Sequence, residues 1–442
     1  MSKGKPLDRY GLRVRPEKEI PNELAWIIQA FFLYLDQDIL IGIQTMKYTS
    51  KRQGRKILFE KTLFNYCTIK DMKKFFVSLL ATALVFFTLV FTIGTLTRNK
   101  ADEFRVAMVT DFSDVNDGSF NQACYEGGKE WCKKNNIPFN YYKPSSISVA
   151  ERIKSITLAI DRGYDVILCP GYALGEAIAE VAPKHPDVYF IGLDITQEDF
   201  PEHFIMTDNI CVFNYHEEIA GYLAGYAAVK EGFTRLGYVG GMPAAQVIRF
   251  GYGYIQGIDD AAEELKKNVD VEYVYGGQFF GDSEIHKYVD NLYKVDKTEV
   301  IFSCGGSIYT SIALAAKENN GYMIGVDSDQ APIIDRDYKE GICITSAMKG
   351  IKQTVIDKLE ELYFQHIWEK GIHDLGLVSS EEPEKNYVQL SLENWRLKNF
   401  TIEDYKKLIE EIMNGSKVVS NDIEDYPVVS HYTKVNYRGS IK

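Results

Sequence analysis

The sequence predicts an α/β protein of two similar lobes, each a parallel sheet flanked by helices. Three observations lead there. From Glu103 onward, short apolar runs of strand character alternate with longer runs of helical periodicity, the order that covers both faces of a parallel sheet with helices. The pattern then echoes itself. A strand, a polar loop and a helix with Phe120 near its start are matched by strand 235–239, the loop Gly240-Gly241-Met242-Pro243 and a helix with Phe250 near its start. Finally, the 442-residue chain has room for two lobes of about 120–140 residues each.

Taken in order, residues 1–71 show no such alternation. Residues 23–46 have an apolar face and 51–61 are basic. Met72-Lys73-Lys74 then leads into Phe75–Leu96, a run without a charged residue. As a helix it would be about 33 Å long, enough to cross a bilayer, and basic residues ahead of an apolar run have the form of an export signal. Met72 is therefore read as the biological start and residues 1–71 as an upstream extension; the alternative is a genuine cytoplasmic head. Thr92-Ile93-Gly94-Thr95-Leu96-Thr97 holds no Cys to carry a lipid and only a poor small-x-small cleavage site. An uncleaved anchor through residues 75–96 is the first reading and cleavage the second. Met1–Lys74 has 15 Lys and Arg against 8 Asp and Glu, and the rest has 35 against 54. A basic head on the near side of the apolar run is the positive-inside arrangement, which puts residues after about Asn99 outside the cytoplasmic membrane. The acidic body argues against nucleic-acid binding.

Beyond the apolar run, strand character falls at residues 104–110, 165–169, 188–193, 235–239, 271–275, 300–304, 322–326 and 342–346. Each is too short and too continuously apolar for a helix. Helical periodicity falls at 119–135, 149–162, 174–184, 215–231, 244–267, 283–294, 308–319 and 348–370. The seven Cys include no CxxC pair. Cys124 and Cys132 share one helix about 12 Å apart, too far to bridge. Cys169, Cys304 and Cys343 lie in apolar strand runs, where a thiol behaves as a small hydrophobe. No disulfide framework, metal site or cofactor is read from these residues.

The stretch from Asp111 to Gln122 lies between the carboxyl end of the first strand and the amino end of a helix. Ligands of open α/β sheets bind in such places, where unpaired helix N–H groups await a partner. Asp111 can accept a hydrogen bond and Phe120 can offer a flat apolar face. Equally, Asp and Ser before a helix are ordinary caps, and a first-turn Phe is ordinary core. Gly305-Gly306 permits close backbone approach, but no GxxxxGK[ST] motif occurs and a lone Gly-Gly is weak evidence for phosphate.

Several ordered motifs now combine. They are Asp111 to Gln122 with Ser119-Phe120-Asn121-Gln122, Gly163-Tyr164-Asp165-Val166-Ile167, Ala182-Pro183-Lys184-His185-Pro186-Asp187-Val188 and Phe190-Ile191-Gly192-Leu193-Asp194. Farther on come Gly240-Gly241, Val247-Ile248-Arg249-Phe250, Gly325-Val326-Asp327-Ser328-Asp329-Gln330 and Thr345-Ser346-Ala347-Met348-Lys349. At these spacings, over about residues 103–420, the chain resembles the basic membrane protein family. These are substrate-binding proteins of ABC importers, and the best-known members bind purine nucleosides. The resemblance implies a two-lobed type I periplasmic-binding-protein fold with the ligand in the cleft. One lobe would hold 103–212 and 343–380 and the other 213–330 and 395–430. The chain would cross between them near 210–215, 328–342 and 375–400.

By the same resemblance, Phe120 and Phe250 stack on either side of a nucleobase, Asp111 takes polar groups at its edge, and Asp194 faces the cleft. Asp327 and Lys349 grip the ribose hydroxyls, as an acceptor and a donor can; Asn121 is a further contact. Each residue also has a plainer role: core for the two Phe, capping for Asp111, a hinge hydrogen bond for Asp194, and an interlobe salt bridge for Asp327 and Lys349. The chain departs from the family in lacking a lipid-anchoring Cys and in a less glycine-rich loop at 112–116. The function implied is an extracytoplasmic, membrane-attached binding protein that captures a nucleoside, closes on it by hinge motion and delivers it to ABC permease subunits. The alternative is a membrane-anchored ligand sensor on the same fold. No Ser/His/Asp or paired-His arrangement reads as catalytic, so the chain is not read as an enzyme.

Overall fold

A computed structural model of the protein describes residues 104–111 and 113–441. The basic head and the apolar run 75–96 lie outside the described residues. Among the described residues, no helix is long and apolar enough to cross a membrane.

The chain runs β1 (Val106–Val109), α1 (Phe120–Lys134), β2 (Phe139–Tyr142), α2 (Val149–Asp161), β3 (Val166–Pro170), α3 (Gly175–Val181), β4 (Tyr189–Leu193) and β5 (Ile210–Tyr215). Next are α4 (Glu217–Glu231), β6 (Arg235–Gly240), α5 (Ala245–Leu265), β7 (Val269–Tyr275), α6 (Ser283–Lys294), β8 (Val300–Cys304), α7 (Tyr309–Asn319), β9 (Tyr322–Asp327), α8 (Ala331–Asp337) and β10 (Cys343–Lys349). The last elements are α9 (Ile351–Glu360), β11 (Gly371–Leu375), β12 (Val388–Leu390), α10 (Ile402–Met413) and β13 (Thr433–Ser440).

Two sheets result. The first has the order β2-β1-β3-β4-β5-β11 and the second β13-β7-β6-β8-β9-β10-β12. All pairings are parallel except β10 with β12. Strands β2-β1-β3-β4-β5 of the first sheet and β7-β6-β8-β9-β10 of the second share one order, so β1 and α1 correspond to β6 and α5. The central strands β1, β3 and β8 are buried at every residue, as strands covered on both faces must be. Side-chain caps start several helices: Asp282 accepts from the backbone N–H groups of Glu284 and Ile285, both at 3.0 Å, satisfying donors that have no partner within the helix.

The sheets correct the sequence-based division in two places. Cys343–Lys349 belongs to the second sheet, not to the lobe of 103–212, and the second crossing falls at Gly350 rather than within 328–342. From there α9 lies on α1, where a Cβ at Gly127 would stand 2.9 Å from the Lys352 carbonyl. Strand β13 also carries the second sheet beyond residue 430. Strands β2, β5, β11, β12 and β13 and helices α8 and α10 had no counterpart in the sequence reading. The three crossings are tied side by side. His216 N–H donates to the Leu375 carbonyl (2.9 Å), Tyr387 N–H to Gly376 (3.1 Å) and Gly350 N–H to Tyr387 (2.7 Å).

Candidate functional site

The carboxyl ends of strands from both sheets converge, and each brings one functional group. Asp194 directly follows β4, β5 ends at Tyr215 with Glu217 just beyond, β9 at Asp327 and β10 at Lys349. Helix α1 supplies Phe120 from its first residue and α5 supplies Phe250 from its second turn. Strand ends suit a site because the sheet holds the backbone rigidly up to the last residue while the side chain points into the crevice beyond it.

Lys349 is the centre. Its buried ammonium bonds closely to Asp194 Oδ2 and lies 3.5 Å from Glu217 Oε1 and 3.6 Å from Asp327 Oδ1. It also stands over three rings, 4.8 Å from the Phe120 centroid, 5.5 Å from Phe250 and 5.6 Å from Tyr215, where an aromatic face attracts a cation. Glu217 is shared with Arg249, whose Nε donates to its Oε2 at 2.6 Å. Gln246 Nε2 reaches from α5 to the Asp194 carbonyl at 3.1 Å. Asp327 accepts from Ser119 Oγ at 2.6 Å.

Three carboxylates thus share one ammonium. Burial pulls the Lys349 pKa down, but the charges of Asp194, Asp327 and Glu217 outweigh it and hold the group above its ordinary value. For Asp194 burial wins: loss of water pushes its carboxyl up to about 7 against the pull of Lys349, and the charges of Glu217 and Asp327 push the same way. Asp117, beneath the start of α1, is raised to about 6 by burial although it accepts from the N–H groups of Ser119, Asn121 and Gln122. Asp194 and Asp327 both have left-handed backbones, φ +55° and +64°. Such φ values are uncommon outside Gly, Asn and Asp and mark places where strain is tolerated for function. Asp194 Oδ1, Asn121 Oδ1 and Arg249 Nη2 are buried without a protein partner. Buried polar atoms of this kind call for a ligand or water to complete them.

The residues singled out from sequence divide into two groups. Phe120, Asp194, Phe250, Asp327 and Lys349 come together around one ammonium. Asn121 lies beside them, its amide nitrogen 3.3 Å from Asp117 Oδ2. Asp111 is half-buried just past the carboxyl end of β1. Its Oδ1 closes a turn by accepting from Ser113 N–H (2.8 Å), and its carbonyl accepts from Arg152 Nε (3.1 Å). Gly305 and Gly306 have φ of +136° and +53°, and a Cβ on either would meet Phe279 at 3 Å or less. They make room for the Phe279 loop. Glu217, Arg249, Ser119 and Tyr215 escaped the sequence reading. For Glu217 the reason is specific: 215–231 was read as one helix, which hides the strand end at Tyr215. A carboxylate directly after the buried run Ile210–Tyr215 was the available signal.

Two parallel-sheet lobes joined by three adjacent crossings, with polar and aromatic groups at the facing strand ends, define a solute-binding protein of the type I periplasmic fold. Solved structures agree at the level of fold. An ABC-transporter solute-binding protein from Aeropyrum pernix superposes with a TM-score of 0.57 at 19% identity, covering 72% of this chain and 88% of that one. One from Conexibacter woesei gives 0.57 at 20% identity, covering 72% and 99%. The model of the Bmp family, ABC transporter substrate-binding proteins of the PnrA-like type, matches residues 104–421, and the chain belongs to that family. Among similar proteins, the ABC transporter nucleoside-binding protein BmpA of Lactococcus lactis is 28% identical over 281 residues, 60% of this chain and 76% of the relative. Basic membrane protein B of Borreliella burgdorferi is 24% identical over 341 residues, 75% and 91%. The chain is therefore an ABC transporter substrate-binding protein.

Proposed function

We propose that the ligand is a nucleoside, of the purine type, captured between the lobes outside the cytoplasmic membrane and passed to permease subunits of an importer. The observation that carries this reading is the pairing of Phe120 and Phe250 across Lys349, one ring from each lobe on corresponding helices. A flat base between two such rings gains about 1–3 kcal/mol from each stacking contact, and gains both only when the lobes are closed. Asp327 and Lys349 then face vicinal hydroxyls as acceptor and donor, and Asp194 Oδ1 and Asn121 Oδ1 offer unused acceptors to N–H or O–H groups. The relative from Lactococcus lactis, a nucleoside-binding protein by name, supports the same chemistry. Asp111, just past the end of β1, takes polar groups at the base edge in this reading. The apolar run 75–96 serves in this reading as the membrane anchor, with the lobes on the far side.

Calorimetry on the full chain tests the proposal. Adenosine, guanosine, inosine, cytidine and the free bases are titrated into the protein and into Phe120→Ala. Purine nucleosides are expected to bind, and the variant to bind at least tenfold more weakly, the equivalent of about 1.4 kcal/mol. A folded protein that takes none of these compounds sinks the stacking assignment.

A further inference from the structure

The loop from β1 to α1 presents Gly118 to the second lobe, and that lobe meets it from three directions. The Gly118 carbonyl accepts from Gln330 Nε2 at 3.0 Å and from Ser328 Oγ at 3.4 Å. The next residue, Ser119, donates its Oγ to Asp327 Oδ2 at 2.6 Å. Tyr309 covers the remaining side: a methyl group on Gly118 would stand 2.7 Å from the Tyr309 hydroxyl oxygen, and the glycine has φ +68°. Any side chain there is opposed twice, by backbone sterics and by the facing lobe.

Gln330 is wholly buried and is braced from within its own lobe. Its Oε1 accepts from Val326 N–H at 3.1 Å, and its own N–H donates to Ser346 Oγ at 3.1 Å. The brace settles which way the amide points. The oxygen must face the Val326 N–H, so the NH2 group must face Gly118. A rigidly held donor thus projects across the cleft to a carbonyl of the other lobe. Neither partner belongs to the aromatic pair or to the carboxylates around Lys349.

From this geometry we propose that Gln330 and Gly118 form a clasp between the lobes, with Gln330 as a positioning residue that sets how often the cleft opens. The clasp also fixes the start of α1, two residues before Phe120, so closure and ring placement are set by one contact. The inference concerns closure and stands whatever the ligand is. One buried hydrogen bond of this kind shifts the closed-to-open ratio by about five- to tenfold.

The experiment uses the full chain with spin labels on Glu176→Cys in α3 and Lys287→Cys in α6, both exposed and on different lobes. Cys67 is replaced by Ser; the six other cysteines are buried. Pulsed dipolar spectroscopy reads the distance between the labels. Gln330→Glu keeps the Val326 bond but turns an acceptor toward Gly118, and Gln330→Met removes the donor without adding charge. Both are expected to enlarge the wide-separation population about five- to tenfold, and Gly118→Ala to do the same from the other lobe. Bound adenosine should leave faster by a similar factor. Wide separations together with no adenosine binding in any form support the clasp and reject the nucleoside reading. Unchanged distances in the folded Gln330 variants overturn the clasp, as does a lower melting temperature with unchanged distances, which would make Gln330 only a brace of its own lobe. Unchanged distances in Gly118→Ala overturn it too.

Discussion

At the scale of single residues the site is governed by an imbalance of charge. Lys349 and Arg249 face Asp194, Glu217 and Asp327, all buried. Removing one member of a buried ion cluster leaves uncompensated charge and usually costs about 3–5 kcal/mol. Lys349→Met is expected to lower unfolding stability by about that amount, as urea titration would show; a loss below about 1 kcal/mol would mean that the carboxylates are solvated or protonated instead. Asp194 behaves in the opposite sense. Its carboxyl is raised by burial to about 7, so the folded state holds a proton that the unfolded state has released. The stability this contributes is full below the ordinary carboxylate range and is lost as pH rises through about 7. Asp117, raised to about 6, acts with the same sign over a lower window. Asp194→Asn should therefore flatten the fall in stability, most clearly above about pH 6, where Asp117 is past its midpoint. Near pH 8 the same substitution should stabilise the fold by about 1 kcal/mol while weakening ligand binding, a trade seen where function holds a charge in an unfavourable place. The φ of +55° at Asp194 suits Asn as well as Asp, so backbone strain does not obscure the comparison.

At the scale of elements, the site depends on how α4 and α5 cross. Four glycines bring their backbones together: a Cβ at Gly221 would stand 2.0 Å from the Phe250 carbonyl, at Gly225 2.2 Å from Tyr254, at Gly253 1.9 Å from Glu218 and at Gly257 2.0 Å from Tyr222. Helix α4 begins at Glu217 and α5 carries Arg249 and Phe250, so this crossing sets the ion pair and one stacking ring together. Gly253→Ala must push the helices apart. We expect a stability loss of about 3 kcal/mol, at the upper end for an overpacked core, together with weaker ligand binding; a variant that melts lower yet binds with unchanged affinity would show that the crossing supports only the fold. Elements also show what sequence can and cannot disclose. The buried strands β1, β3, β4 and β8 were legible because a short, continuously apolar run between helices has few other meanings. Strand β5 was not. Residues 210–215 were read as a crossing between the lobes and the helix was begun at residue 215, so the strand end and the acid just beyond it were lost. Strands β11 and β13 are edge strands with exposed, mixed side chains, and only pairing with a neighbour makes them strands. The site residues at strand ends came from family-like motifs; Asp111 shows the limit of reading a loop, because an Asp closing its own turn looks the same in sequence as one facing a ligand.

At the scale of the whole molecule, the chain extends beyond the residues matched by its family. The match ends at 421, and residues 422–441 are built into the second lobe. Ser430 bonds to Asp259 through both its N–H (2.9 Å) and its hydroxyl (2.8 Å). Strand β13 pairs along β7. Tyr426 and Tyr437 lie with ring centroids 3.9 Å apart, and Tyr437 continues to Tyr273 at 5.3 Å. The buried carboxylate of Glu272 takes both its side-chain donors from this segment, Asn436 Nδ2 at 2.8 Å and Arg438 Nε at 2.6 Å. Removing residues 422–442 would strip the edge from β7, uncover Tyr273 and leave Glu272 without either donor. The site, however, lies on the opposite side of the sheet: β9, β8, β6 and β7 separate β10, which carries Lys349, from β13. The segment does reach α5, which carries Arg249 and Phe250: Ser430 holds Asp259, and the Tyr426 ring lies 5.9 Å from that of Tyr252. Truncation after Asn421 is expected to destabilise the second lobe, giving an earlier unfolding transition by calorimetry, and to weaken ligand binding by the remaining folded protein by only about two- to fivefold, because α5 loses a brace while Lys349 and the first lobe keep their contacts. A truncated protein with unchanged melting would show that the carboxyl-terminal strand merely rests on the lobe. One that melts normally but binds poorly would show that the segment acts on the cleft through α5 rather than on the stability of the lobe.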